Sequence, residues 1–185
     1  MVDIARSSQS ELEVPALMQA EITLTTASGA PFPFSALSVI RIRTTFPHDP
    51  KPQGATLIDF TRQSIQVKED PEKVAGLVKA HLSSLAQFIM SRPNDDFEPW
   101  QGSKPVWVNA KAVKGPIIVV PTNRTNGIRS SIQAAGKMIY VTETPEEVAE
   151  IIGAAGGTPE PVLPDIFNRL LFQMRSFISP IPEWY

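Results

Sequence analysis

The chain contains no cysteine, which excludes disulfides, thiolate metal sites, iron–sulfur clusters and cysteine nucleophiles. Histidine is nearly as scarce: His48 and His81 are the only two, too few for a His-based metal centre. Long apolar runs are also missing. One of the longest, Ile117 to Val120, is closed off by Pro116 and Pro121, far short of the roughly 18 residues a membrane span requires. The opening MVDIARSSQSELEVP has no basic stretch followed by an apolar one, so it does not read as a secretory leader. A surplus of one charge is lacking too. Seventeen basic against nineteen acidic side chains give a formal net charge of −2, leaving no global field for nucleic acid or an anionic membrane.

What is abundant is proline, 18 in 185 residues, close to twice the usual share of about 5%. Each one fixes φ and removes a donor, so long stretches must be neither helix nor strand. With 42% hydrophobic and 19% charged residues, the composition is globular. The length supports one domain or two small ones that bury around 70% of the unfolded surface without a covalent staple.

The chain matches itself. Sliding it by 74 positions aligns residues 31–78 with 105–152 without a gap. Pro31, Ala36, Val39 and Pro47 fall on Pro105, Ala110, Val113 and Pro121; Ile58, Ile65, Val67 and Glu69 fall on Ile132, Ile139, Val141 and Glu143. Pro71, Glu72, Val74 and Ala75 then fall on Pro145, Glu146, Val148 and Ala149. That is about a dozen identities where composition alone gives roughly three. A tandem duplication of a small module is expected.

In the first copy, Glu21 to Thr25 alternates polar and apolar residues, the period of a half-buried strand. Ser28 to Pro31 is turn chemistry, and Phe34 to Thr45 reads as one longer extended segment in which Arg41 and Arg43 share a face. Two short strands, Thr56–Phe60 and Ser64–Lys68, precede a helix with Asp70 as N-cap and Pro71 at the first helical position. Val74, Leu77, Val78, Leu82 and Leu85 form its expected apolar stripe. In the second copy Val106–Val108 leads into a long strand, Val113–Val120. Asn126-Gly127 marks a turn, and Ala135-Gly136 joins a hairpin of Ile128–Ala134 and Lys137–Val141. Thr144 and Glu147 are spaced as a capping box for a helix from Pro145 to about Ala154 that stops at Gly156-Gly157.

The expected organisation is α+β: an N-terminal arm over 1–18, a first antiparallel β–α module over 19–91, a Pro- and acid-rich linker over 92–104, a second module over 105–157, and a C-terminal arm over 158–185. Within that last arm Asp165 to Phe177 reads as a short amphipathic helix, and Pro180 to Tyr185 as extended chain. Modules this small have thin cores and should pack together or against partners.

The residues Ile22, Leu24, Gly29, Pro31, Phe34, Ser35, Ala36 and Val39, followed by Ile65, Val67, Glu69, Glu72 and Val74, carry a recognisable spacing. So do Pro105, Val108, Asn109, Ala110, Val113, Ile139, Val141, Glu143, Glu146 and Val148. The pattern resembles the short flagellar-operon proteins of the FlbD type and small phage-encoded proteins with the same hydrophobic order. The resemblance covers roughly two-thirds of the chain and implies no catalytic residues. It departs from the flagellar pattern in being duplicated and in carrying long Pro-rich arms.

No chemistry stands out. Asp95/Asp96 lie in the linker, and Glu69/Asp70 and Glu146/Glu147 lie at helix starts, where negative charge suits the helix dipole. His81 falls inside the first helix and His48 in a Pro-His-Asp-Pro turn, and neither has a ligand-like companion. Arg41 and Arg43, with Lys111, Lys114, Arg124 and Arg129, could touch phosphates. Without interleaved aromatics they read instead as a solvated strand face. The sequence therefore points to no enzyme, no metal and no cofactor. The expected protein is structural, a virion accessory component (head decoration, neck or tail) assembled in a host cytoplasm and bound to other subunits in a homo- or hetero-oligomer. Membrane and nucleic acid are not its expected partners. Partner-binding anchors are Phe167, Leu170, Leu171, Phe172, Phe177, Trp184 and Tyr185, since aromatic burial dominates interface energies. The alternative is a cytoplasmic FlbD-type regulator that binds a protein or nucleic acid.

Overall fold

A computed structural model describes residues 20–47, 49–91, 103–119, 123–124 and 126–162. They form an α+β fold, mostly antiparallel sheet with two helices. The strands are β1 (Glu21–Thr25), β2 (Pro31–Ser35), β3 (Arg41–Thr44), β4 (Thr56–Asp59) and β5 (Ser64–Val67), then helix α1 (Pro71–Lys79). β6 (Leu85–Met90), β7 (Lys104–Asn109), β8 (Lys114–Ile117), β9 (Ser130–Ala134) and β10 (Lys137–Val141) follow, then α2 (Pro145–Ala154).

β1 and β2 make a two-stranded sheet, and the others an eight-stranded one in the order β5-β4-β3-β7-β6-β10-β9-β8. The sheets meet where Thr26 bridges Val67 and Lys68 N–H donates to Thr25 O at 2.8 Å. β1 buries Ile22 and Leu24 while Glu21 and Thr23 face out, as its period-2 pattern requires. The β9–β10 turn puts Ala135 at φ 51° and Gly136 at φ 73°, the two positive angles that a two-residue hairpin matching the strand twist needs.

Both helices start where the chain chemistry says. Asp70 accepts from Glu72 N–H at 2.9 Å. Thr144 Oγ1 accepts from Glu147 N–H at 3.1 Å, while Glu147 Oε2 accepts from Thr144 N–H at 2.7 Å. α1 turns Val74, Ala75 and Val78 into the core, each valine contributing about 1.5–3 kcal/mol of burial. Leu77 stays 41% exposed, so it does not belong to the stripe.

Four local expectations change. The extended run from Phe34 to Thr45 is broken by a 3-10 turn at Ala36–Ser38, which sends β2 and β3 to different neighbours. The second long strand shrinks to Lys114–Ile117, with a register shift against β9 between those residues. α1 ends at Lys79, so Leu82 and Leu85 are not helical and His81 is an exposed turn residue. Leu85 instead opens β6, whose pairing is with β7 and β10, so a strand placed by the sequence with the first half hydrogen-bonds with the second.

Two apolar clusters result. One gathers Ile22, Leu24, Phe34, Ile42, Ile58, Val67, Val74 and Val78, the other Phe88, Val106, Val108, Ile132, Ile139, Val141, Val148 and Ile152. They interlock at the β3–β7 seam. Trp107 of β7 is buried in the first cluster, and Ile40 and Phe46 from beside β3 pack against the second. Among the described residues no helix is long and apolar enough to cross a membrane.

Candidate functional site

Two buried ion pairs centre on β3. That strand is hydrogen-bonded on both sides, to β4 and β7, so Arg41 and Arg43 are withdrawn from solvent at 4% and 6% exposure. This corrects the expectation of a solvated strand face. Arg41 Nε donates to Asp59 Oδ2 at 2.5 Å, Ser64 Oγ donates to the other carboxylate oxygen, and Lys137 Nζ approaches that same oxygen at 3.8 Å. Burial lowers the Arg41 pKa, with Asp59 pulling the other way. Arg43 binds Asp49 in a two-pronged pair at 2.8 and 2.7 Å and lies over the Phe46 ring at 4.3 Å. Asp49 Oδ2 also accepts from Phe46 N–H at 2.6 Å. The pairs form because either guanidinium, stranded alone between two strands, would carry an uncompensated charge, a penalty of about 3–5 kcal/mol.

Two glutamates hold strands in matching ways. Thr25 N–H donates to Glu69 Oε1 at 2.9 Å, and Ile89 N–H to Glu143 Oε1 at 2.7 Å. Lys68 N–H reaches Thr25 O at 2.8 Å as Thr142 N–H reaches Ile89 O at 3.0 Å. Thr56 Oγ1 donates to Glu69 O, and Ser130 Oγ to Glu143 O, both at 2.7 Å. Each residue on β4, β5 and the following turn has its counterpart 74 positions later, whereas Thr25 and Ile89 are 64 apart. β6 therefore occupies in the second half the place that β1 occupies in the first. The ten extra residues fall between β6 and β7, in the segment 91–103, where β1 and β2 are joined by a tight turn.

The electrostatic settings of the two carboxylates differ. Burial pushes the Glu69 carboxyl up, but the N–H groups of Glu69 itself and of Thr25, helped by Lys73, outweigh it and hold it below the ordinary value. At Glu143 burial wins. The N–H groups of Glu143 and Ile89 oppose it, Glu147 adds repulsion, and the carboxyl sits above the ordinary value. The second oxygen of each glutamate is buried with no hydrogen-bond partner among the described residues.

Two depressions are formed by the described residues. One, about 300 Å³, lies beside α1 and is lined by Glu72, Gly76, Lys79, Gln87 and Trp107. The other, about 320 Å³, is polar and lies between the β4–β5 and β9–β10 turns, lined by Asp59, Arg62, Gln63, Ser64 and Lys137 among others. Both are open clefts. Among the described residues no cluster of three or more His, Asp or Glu is arranged to hold a metal ion.

The anchors expected from the sequence, Phe167, Leu170, Leu171, Phe172, Phe177, Trp184 and Tyr185, lie outside the described residues, as do His48 and the N-terminal arm. Of the basic residues grouped with Arg41 and Arg43, Lys111, Lys114, Arg124 and Arg129 are exposed, and Arg129 is 4.0 Å from Glu147. The seam itself was not anticipated. Its signal was present in the mismatches of the repeat: Arg41 and Asp59 align with Gly115 and Gln133, and Arg43 and Asp49 with Ile117 and Asn123. Where the arginine goes, the carboxylate gives way to a neutral side-chain amide. The chain matches no family model, no curated protein and no solved structure.

Proposed function

We propose that this is a non-enzymatic assembly protein: two tandem β–α repeats form a rigid centre, and the proline-rich segments at its ends bind neighbouring subunits of a larger complex. In its most concrete form it is an accessory component of a bacteriophage virion, at the head, neck or tail. One observation carries the reading. The acidic groups that could have done chemistry serve to hold the body together: Asp59 and Asp49 take the buried arginines, Glu69 and Glu143 take strand amides, and Asp70 and Glu147 cap helices. The matched hydrogen bonds support descent from one repeated unit. Under this reading the units are β1 to α1 and β6 to α2, with ten more residues between the first two strands of the second unit than of the first.

The competing assignment is a FlbD-type regulator that binds a partner protein or nucleic acid; its nucleic-acid form would lean on Arg41 and Arg43, and both are engaged by carboxylates. Partner contact then falls to the segments beyond the body, where residues 163–185 carry Phe167, Leu170, Leu171, Phe172, Phe177, Trp184 and Tyr185. Deleting 163–185 tests this. The account expects a folded protein with an unchanged thermal midpoint that no longer co-purifies with its complex. Full occupancy of the truncated chain in that complex would overturn the tail's role.

A further inference from the structure

The β3–β7 seam joins the trailing edge of one repeat to the leading edge of the next. Residues on an antiparallel strand alternate between the two neighbours. Asn109 N–H donates to Ile40 O at 2.8 Å, so two residues on, the directly opposed Ile42 and Trp107 are the next mutually bonded pair, each offering an N–H to the other. On the reading of two equivalent repeats, β8 is the counterpart of β3 and β2 the counterpart of β7. Such a seam is head-to-tail: β8 of one molecule could accept β2 of the next as β3 accepts β7, and nothing in that geometry limits the number of copies.

The counterparts of the mutually bonded pair are Pro116 and Pro33. Neither has an N–H. On β2 the alternation confirms the direction: Thr26 N–H bonds Ala30 O at 2.8 Å, so Pro31 and Pro33, paired with Thr25 and Thr23, have their backbone donor positions on the side away from β1. β8 is disturbed further by its register shift against β9, and Gly115 O is already taken by Glu160 N–H at 2.7 Å. Among the described residues, β2 pairs with β1 alone and β8 with β9 alone. Proline at outward positions of an edge strand is a known defence against unwanted pairing.

We propose that Pro33 and Pro116 are stops: the two outer edges are complementary surfaces for a second copy of this chain, and these prolines keep that contact from forming, so that the ladder closes once, inside the molecule, and does not propagate. The test gives each edge the residue of its inner counterpart, Pro33→Trp with Pro116→Ile, in the full chain with its tail intact. Because the tail is untouched, this outcome is independent of the truncation experiment above. In sedimentation velocity over a concentration series, the mean mass of the double variant should rise to about twice that of the parent chain or more, since an open head-to-tail contact adds copies without limit. Pro33→Ala with Pro116→Ala, which restores only the amides, should move in the same direction by less. The proposal is overturned if both double variants keep the parent's circular dichroism and sediment as the parent does at every concentration. It is equally overturned if the alanine pair fails to fold, because the prolines would then be needed for the body itself rather than for its edges.

Discussion

β3 and β8 lie at matching positions 74 residues apart, and they differ at every central position: Arg41-Ile42-Arg43 in one, Gly115-Pro116-Ile117 in the other. The first is an inner strand with all three residues buried. The second is an edge with a register shift. The hydrophobic pattern around them is conserved between the halves, with Ile58 and Ile132, Val67 and Val141, and Val74 and Val148 all fully buried. The comparison separates two kinds of information: shared apolar positions make each half fold, and the positions that differ decide which edges join. The buried charges belong to the second kind. Each arginine on the inner strand comes with a carboxylate, and the corresponding place on the edge strand has neither.

The largest effect that could break this comparison lies at Asp59. Asp59→Ala leaves Arg41 buried and without its main partner, so urea denaturation should show a loss of about 3–5 kcal/mol. Gln133→Ala, the matching change in the other half, should cost within about 1 kcal/mol, as a half-buried amide substitution does. Equal losses would mean that the ion pair is not what distinguishes the strands.

A smaller effect sharpens the comparison through pH. Glu69 is held below its ordinary value of 4.5, so its ionised form stabilises the fold above that value, and the contribution disappears as pH falls through the lowered value. Glu69→Gln should therefore cost about 1 kcal/mol or less at neutral pH, the difference between a charged and a neutral acceptor in a partly solvated place. That gap should close in acid. Glu143 is held above 4.5, so the parent protein loses stability as pH rises from there through the raised value. Glu143→Gln keeps an acceptor for Ile89 N–H and should be at least as stable as the parent at neutral pH, with the advantage vanishing in acid. Thermal midpoints of both variants from pH 3 to about pH 8 check the opposite signs. Two curves of the same sign would contradict the assigned environments.

Much of the local structure was legible in the sequence because short-range chemistry fixes it. Asp70-Pro71 and Thr144-Pro145-Glu146-Glu147 announce helix starts, Ala135-Gly136 a tight hairpin, and the alternation in Glu21 to Thr25 a strand with one wet face. The break at Ala36–Ser38 was hidden, because its residues are apolar enough to pass as strand. β6 was hidden for a different reason. Leu82 and Leu85 continue the i, i+3 spacing of α1, and Leu85-Ala86-Gln87-Phe88-Ile89-Met90 fits helix or strand by periodicity alone. Its identity is set by long-range pairing with β7 and by Glu143, which no local window contains. Ile89 also lies 64 positions from its match Thr25 rather than 74, so this strand falls outside the register of the self-match. Arg41 and Arg43 looked solvated because one-strand patterning does not say how many neighbours a strand has.

The most direct test of the joined ladder is native-state amide hydrogen exchange at Ile42 and Trp107, compared with Ser35 on the outer side of β2. The account predicts that both seam amides exchange only through opening close to global unfolding, with Ser35 far faster. Exchange at Ile42 and Trp107 as rapid as at Ser35 would show that β3 and β7 do not form a closed seam, and the picture of one continuous sheet spanning both halves would fail.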